Sequence, residues 1–159
     1  VCSGGGPSIM EPANAAAAKE GKETIGLNIV LPHEQLPNPY VTPELSFQFH
    51  YFALRKMHFL LRARAVAVFP GGYGTFDELF ELLTLIQTGK VRPLPILLFG
   101  EDYWNKVVNF QAMVDEGVIS PHDLDLIHWC EDAQPAWDFV NGFYERNPNP
   151  VPVQTAPPE

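Results

Sequence analysis

Cysteine is scarce in this chain of 159 residues: Cys2 and Cys130 are the only two, far apart and in no CxxC pair. That excludes a disulfide framework and a cysteine zinc site, and it fits a reducing compartment, so a cytoplasmic location is expected. Basic residues are also few. Ten lysines and arginines against 19 aspartates and glutamates give a formal charge of -9 and a sequence pI near 4.9. Such a chain repels phosphate polymers and anionic lipid surfaces, so neither a nucleic acid polymer nor a membrane is expected as a partner. No apolar run approaches the roughly 20 residues that span a bilayer, and the N-terminus lacks the charged and apolar regions of a signal peptide. The five histidines show no HExxH or similar ligand spacing. No metal and no cofactor is expected.

What the chain does have is 46% apolar residues, enough for one sizeable core at 17.8 kDa. One domain is expected over residues 1–146. The five prolines in residues 147–159, without any periodicity, predict a disordered tail. Short apolar or β-branched runs near 1–3, 24–31, 65–69, 95–99 and 126–129 read as strands. They alternate with helical patterns near 9–19, 76–87, 103–116 and 133–145, with Gly21 and Gly89 as stops. That order winds a parallel sheet with helices on both faces, an α/β fold. Pro32, Pro37, Pro39 and Pro43 mark a long connection, and loops of that length are often functional, so residues 38–42 are a candidate cover for a site. Residues 46–64 read as one helix that is apolar nearly all round, which requires two buried faces. One would pack on the sheet and the other on a partner subunit, so a homodimer is expected; the other reading is a helix buried wholly within its own chain.

Pro70-Gly71-Gly72-Tyr73-Gly74-Thr75 lies between a buried strand and a helix start, where α/β sheets bind ligands. Glycines allow a sharp turn and close approach, and the helix N-terminus favours an anion such as phosphate. The segment lacks the Gly-Lys-Ser/Thr ending of a Walker A loop and does not match GxGxxG. Thr75 and Glu78 also fit a Thr-x-x-Glu capping box, so Glu78 reads either as a cap or as a catalytic carboxylate. Gly4-Gly5-Gly6-Pro7 is a second glycine turn between strand and helix, either part of the same cleft or simply a tight turn. Glu11 behind it is either a ligand contact or a first-turn carboxylate that complements the helix dipole. Arg55-Lys56, in apolar surroundings, needs an anion or water; ligand phosphate and a surface salt bridge both satisfy that need.

The run Gly4-Gly5-Gly6-Pro7-Ser8-Ile9-Met10-Glu11, then Arg55-Lys56, then Pro70-Gly71-Gly72-Tyr73-Gly74-Thr75-Phe76-Asp77-Glu78, resembles the Lonely Guy (LOG) family over nearly the whole chain up to about residue 146. The resemblance implies a Rossmann-like fold, dimers or larger assemblies, and hydrolysis of the N-glycosidic bond of nucleoside 5'-monophosphates. AMP or cytokinin riboside monophosphates would yield free base and ribose 5-phosphate. It implies that Gly71, Gly72, Gly74 and Thr75 hold the 5'-phosphate and that Arg55 and Glu78 are the catalytic pair. Gly5, Gly6, Met10, Glu11 and Lys56 would complete substrate binding, with Met10, Glu11 and Lys56 at the base or ribose end. Two departures stand out. Most members carry a further strand, glycine-serine loop and helix ahead of the triple glycine, so part of the pocket is expected to be missing, and Ser8 stands where the family often has glycine.

Members often carry the label "possible lysine decarboxylase". Amino-acid decarboxylation of that kind usually relies on a lysine Schiff base to pyridoxal phosphate. Lys56 alone of the five lysines lies near the expected cleft, so the label is rejected. A carrier that binds a nucleotide or the molybdenum cofactor without hydrolysis is the alternative, and an inactive interaction protein is a third reading. The presence of both Arg55 and Glu78 favours the enzyme.

Overall fold

The computed structural model describes residues 1–31 and 36–148. The expected tail therefore lies outside the described residues from 149 onward, as does Pro32 of the long connection. The chain divides into two compact units, Val1–Arg62 and Ala63–Glu159. Both are α/β with an all-parallel three-stranded sheet, the Rossmann-like pattern expected from the alternation of elements. Among the described residues no helix is long and apolar enough to cross a membrane.

The first unit runs β1 (Cys2–Ser3), α1 (Met10–Lys19), β2 (Ile25–Ile29), β3 (Ser46–Phe49) and α2 (Phe52–Leu60), with sheet order β1-β2-β3. Gly21 follows α1 at φ +64°, the left-handed conformation that stops a helix. The expected helix over 46–64 is corrected. Ser46, Phe47, Gln48 and Phe49 alternate polar and apolar, a period of two, and pair in register with Gly26 to Ile29 of β2. The run looked apolar all round because a strand and a helix are joined end to end in it. In α2 itself Leu60 is buried, Arg55, Lys56 and Phe59 are half-buried, and Phe52, Leu54 and Met57 are exposed.

The second unit runs β4 (Val66–Val68), α3 (Tyr73–Gln87), β5 (Ile96–Phe99), α4 (Glu101–Val107), α5 (Phe110–Asp115), β6 (Ile127–Cys130) and α6 (Ala133–Arg146). The central strand β5 has no polar side chain, as a strand covered on both faces requires. Leu97 packs with Cys130 and with Ala136, Phe139 and Val140 of α6, while Ile96 and Leu98 point to the opposite face and are fully buried. Leu79, Leu82 and Ile86 form the buried stripe of α3. Gly89 ends that helix at φ +69°. The expected single helix over 103–116 is corrected to two. Val108 is extended, and Asn109 caps α5 by accepting the Ala112 N-H at 3.0 Å.

Candidate functional site

In the second unit the strands deliver three turns to one edge. Pro70 follows β4, Gly100 follows β5 and Glu131 follows β6. A β-carbon on Gly100, which has φ +81°, would come within 3.1 Å of Pro70 Cγ. The Gly100 N-H donates to Cys130 O at 3.3 Å, and the Glu101 N-H donates to a Glu131 carboxylate oxygen at 2.9 Å. The carboxyl edge of the sheet is thus a continuous surface, with the Gly71 to Thr75 turn on it. Tyr103 of α4 fixes that turn by donating its hydroxyl to Gly71 O at 2.6 Å.

The three glycines of the turn have different reasons to be glycine. A β-carbon on Gly71 would collide with Thr75 Oγ1, so that glycine makes room for the threonine hydroxyl. Gly72 and Gly74 have no described atom within 4 Å of the β-carbon position, and neither has a positive φ. Among the described residues neither a close contact nor a positive φ explains them. The expected capping box is corrected. Gly72 is the N-cap and makes no side-chain cap bond, so Thr75 is already the third helical residue. Glycine lets the helix start earlier than the box required. Glu78 is therefore not the carboxylate of a capping box. Glu78 lies four residues beyond Gly74 and three beyond Thr75, which places all three on one helix face. It is half-buried, with Oε2 shielded from solvent. Tyr73 beside them is 97% exposed.

In the first unit the triple-glycine turn leads from β1 to α1. Gly5 has φ +71°, and the Asn28 side-chain amide of β2 lies over it, so a β-carbon there would come within 2.9 Å of both Nδ2 and Oδ1. Ser8 takes φ +65° and is, among the described residues, the one non-glycine with positive φ. Its carbonyl accepts the Glu11 N-H at 3.2 Å, at the start of α1. Arg55 reaches the same turn from α2. Its Nε donates to Leu27 O at 2.6 Å and its guanidinium lies over the Phe59 ring at 5.1 Å. A β-carbon on Gly4 would come within 2.6 Å of Arg55 Nη2 and 2.8 Å of Met10 Sδ. Gly4, Met10 and Arg55 are therefore one cluster, with Gly5, Gly6 and Glu11 in the same turn and helix start. Lys56 follows on α2. Gly71, Gly72, Gly74, Thr75 and Glu78 form the corresponding cluster of the second unit.

Sequence reasoning missed the asparagines. Asn14 is fully buried, accepts the Ser3 hydroxyl at 2.7 Å and the Asn38 Nδ2 at 3.0 Å, and its own Nδ2 has no hydrogen-bond partner among the described residues. Asn28 Nδ2 is likewise buried without a partner. A signal was available, because Asn28 interrupts an apolar strand and Asn14 an alanine-rich helix; buried amides at such places need partners. Tyr103 was also missed as the residue that holds Gly71. A cleft of the second unit, about 360 Å³, is lined by Asn105, Phe110, Gln111, Ile127 and Trp129 among others. None of the glycine-turn residues is among those that line it.

An α/β chain with all-parallel sheets and strand-to-helix glycine turns belongs to the class of Rossmann-like proteins. The family is specific. The sequence pattern of the family described as "Possible lysine decarboxylase" matches residues 10–140, and the chain belongs to that family. It is 30% identical over 154 residues to cytokinin riboside 5'-monophosphate phosphoribohydrolase LOG7 of Arabidopsis thaliana, covering 88% of this chain and 69% of that protein. It is 29% identical to the probable cytokinin riboside 5'-monophosphate phosphoribohydrolase LOGL3 of Oryza sativa subsp. japonica, covering 90% and 68%. Against LOG1 of Arabidopsis thaliana, of the same enzyme name, identity is 33% over 132 residues, covering 80% and 60%.

Proposed function

We propose that this protein hydrolyses the N-glycosidic bond of nucleoside 5'-monophosphates, AMP or cytokinin riboside monophosphates, to free base and ribose 5-phosphate. The observation that carries the reading is the pair Gly72 and Gly74, which nothing described in the chain requires and which leaves open space at the start of α3. Backbone N-H groups at a helix start with no side chains over them accept a phosphate closely. The names of the relatives supply the reaction class.

In this reading Gly71, Gly72, Gly74 and Thr75 hold the 5'-phosphate, with Tyr103 keeping the turn in shape. Breaking the C1'-N bond builds positive charge on the ribose ring. Glu78 stabilises that charge, and it orients the attacking water or binds ribose hydroxyls. Arg55 offsets the negative charge of phosphate and carboxylate. Gly5, Gly6, Met10, Glu11 and Lys56 complete substrate binding, with Met10, Glu11 and Lys56 at the base or ribose end. The exposed apolar side chains Phe52, Leu54, Met57 and Leu61 support a homodimer as the active form, and two free cysteines fit a reducing compartment such as the cytoplasm.

Glu78→Gln tests the assignment. It keeps the size of the side chain and removes its charge, so turnover of AMP is expected to fall at least a hundredfold while cooperative unfolding and AMP binding survive. Hydrolysis at the parent rate would remove Glu78 from the catalytic pair. Binding of AMP by the parent without turnover would favour the carrier reading.

A further inference from the structure

One side chain ties the connection between β2 and β3 to the triple-glycine turn. Asn38 is 6% exposed. Its backbone N-H donates to Gly5 O at 2.7 Å, and its Nδ2 donates to Gly6 O at 3.1 Å and to Asn14 Oδ1 at 3.0 Å. Asn14 Oδ1 also accepts the Ser3 hydroxyl, whose oxygen in turn accepts the Gly5 N-H at 3.0 Å. This circuit lies wholly within the first unit. It occupies the Gly5 N-H, the Gly5 carbonyl and the Gly6 carbonyl, so each has its direction set from Asn38, Asn14 and Ser3.

The peptide between Gly5 and Gly6 is trans, so the Gly6 N-H points opposite to the Gly5 carbonyl. With that carbonyl held on Asn38, the Gly6 N-H is aimed away from Asn38. Pro7 has no N-H to offer. A turn of three glycines has no side chains to fix it and the widest choice of backbone conformations, so an external clamp decides its shape. The rest of the connection is anchored too. Thr24 Oγ1 donates to Tyr40 O at 2.7 Å, the Thr42 N-H donates to Thr24 O at 3.1 Å, and Val41 fills the space left by Gly26.

We propose that Asn38 is a positioning residue for the substrate: it holds the glycine turn so that the Gly6 N-H is presented to a ribose oxygen of the nucleotide. This rests on the phosphoribohydrolase reading above. Asn38 touches no reacting atom. Its contribution is to binding, equal in ground and transition states, so it acts on KM rather than on kcat.

The test compares the parent with Asn38→Asp and Asn38→Ala. Asn38→Asp is isosteric but places an acceptor against Gly6 O and Asn14 Oδ1, while the backbone bond to Gly5 remains. For each protein, kcat and KM for AMP, AMP affinity by calorimetry and the thermal unfolding midpoint are measured. Loss of one well-oriented hydrogen bond to the ligand raises KM and weakens AMP affinity about tenfold, with kcat within about twofold of the parent. On acidification the introduced carboxyl of Asn38→Asp gains a proton and can donate to Gly6 O, so its affinity relative to the parent recovers; that of Asn38→Ala does not. If Asn38→Asp fails to fold, Asn38→Ala gives the same KM comparison without the repulsion. A lowered midpoint with parent KM and parent affinity makes Asn38 purely structural and overturns the proposal. A parent that binds AMP but does not hydrolyse it sinks the enzymatic reading and leaves the affinity ratio to decide on Asn38. A parent that neither binds nor hydrolyses sinks both.

Discussion

The guanidinium of Arg55 fills the space that a side chain at position 4 would need. Nη2 lies 2.6 Å from the β-carbon position of Gly4. The atoms in the way, Arg55 Nη2 and Met10 Sδ, are ends of flexible side chains, so Gly4→Ala is expected to move them and leave the fold intact. With Arg55 in the catalytic pair, kcat/KM for AMP should drop at least tenfold while the unfolding midpoint shifts by only a few degrees. Parent-level kcat/KM in a folded Gly4→Ala protein would detach this arginine from the reaction.

Ser8 is held at φ +65°, a conformation that costs a residue with a β-carbon roughly 1–2 kcal/mol. Glycine removes that strain but gives back about 0.4–1 kcal/mol through the freer unfolded chain. Ser8→Gly should therefore be more stable by a net of about 0.5 kcal/mol in urea unfolding, and Ser8→Ala, which keeps the β-carbon, should gain nothing.

Tyr103→Phe deletes the hydroxyl that holds Gly71 O and changes little else. A stability loss of about 1 kcal/mol is expected, together with a rise in KM as the turn loosens. An unchanged KM would show that Gly71 needs no help from α4.

Asp123 is expected to add acid sensitivity to the segment that leads into β6. The Gln87 side-chain amide, at 2.9 Å, and then the Ser120 backbone N-H, at 2.7 Å, hold its carboxyl below the usual aspartate range. Because the folded value is the lower one, the stabilisation is fully present above the unfolded value near 3.9 and is lost as pH falls through the folded value. Thermal unfolding at pH 7 and pH 3 should show Asp123→Asn losing part of the difference between the two conditions. Equal pH dependence in parent and variant would assign the effect elsewhere.

The second unit was largely legible from sequence. Strands β4 and β5 are short, uninterrupted apolar runs, the stripe of Leu79, Leu82 and Ile86 has a clean helical period, and Gly89 marks its end. Pro70 to Thr75 could be placed on a strand-to-helix turn for the same reason. The 46–64 region misled because Phe47 and Phe49 continue into the apolar residues of α2, and a window that spans both elements averages a period of two with one of 3.6. The capping box misled because Thr-x-x-Glu spacing says nothing about where glycine allows the helix to begin. The amide circuit of Ser3, Asn14 and Asn38 was out of reach, since its members are up to 35 positions apart and meet only through the parallel pairing of β1 with β2.

Incubating the purified protein with AMP and with isopentenyladenosine monophosphate, and quantifying products by chromatography, decides whether the N-glycosidic bond is cut. Free base and ribose 5-phosphate are expected in equal amounts from at least one of them. Release of inorganic phosphate and nucleoside, or no release of base by folded protein, would overturn the phosphoribohydrolase assignment.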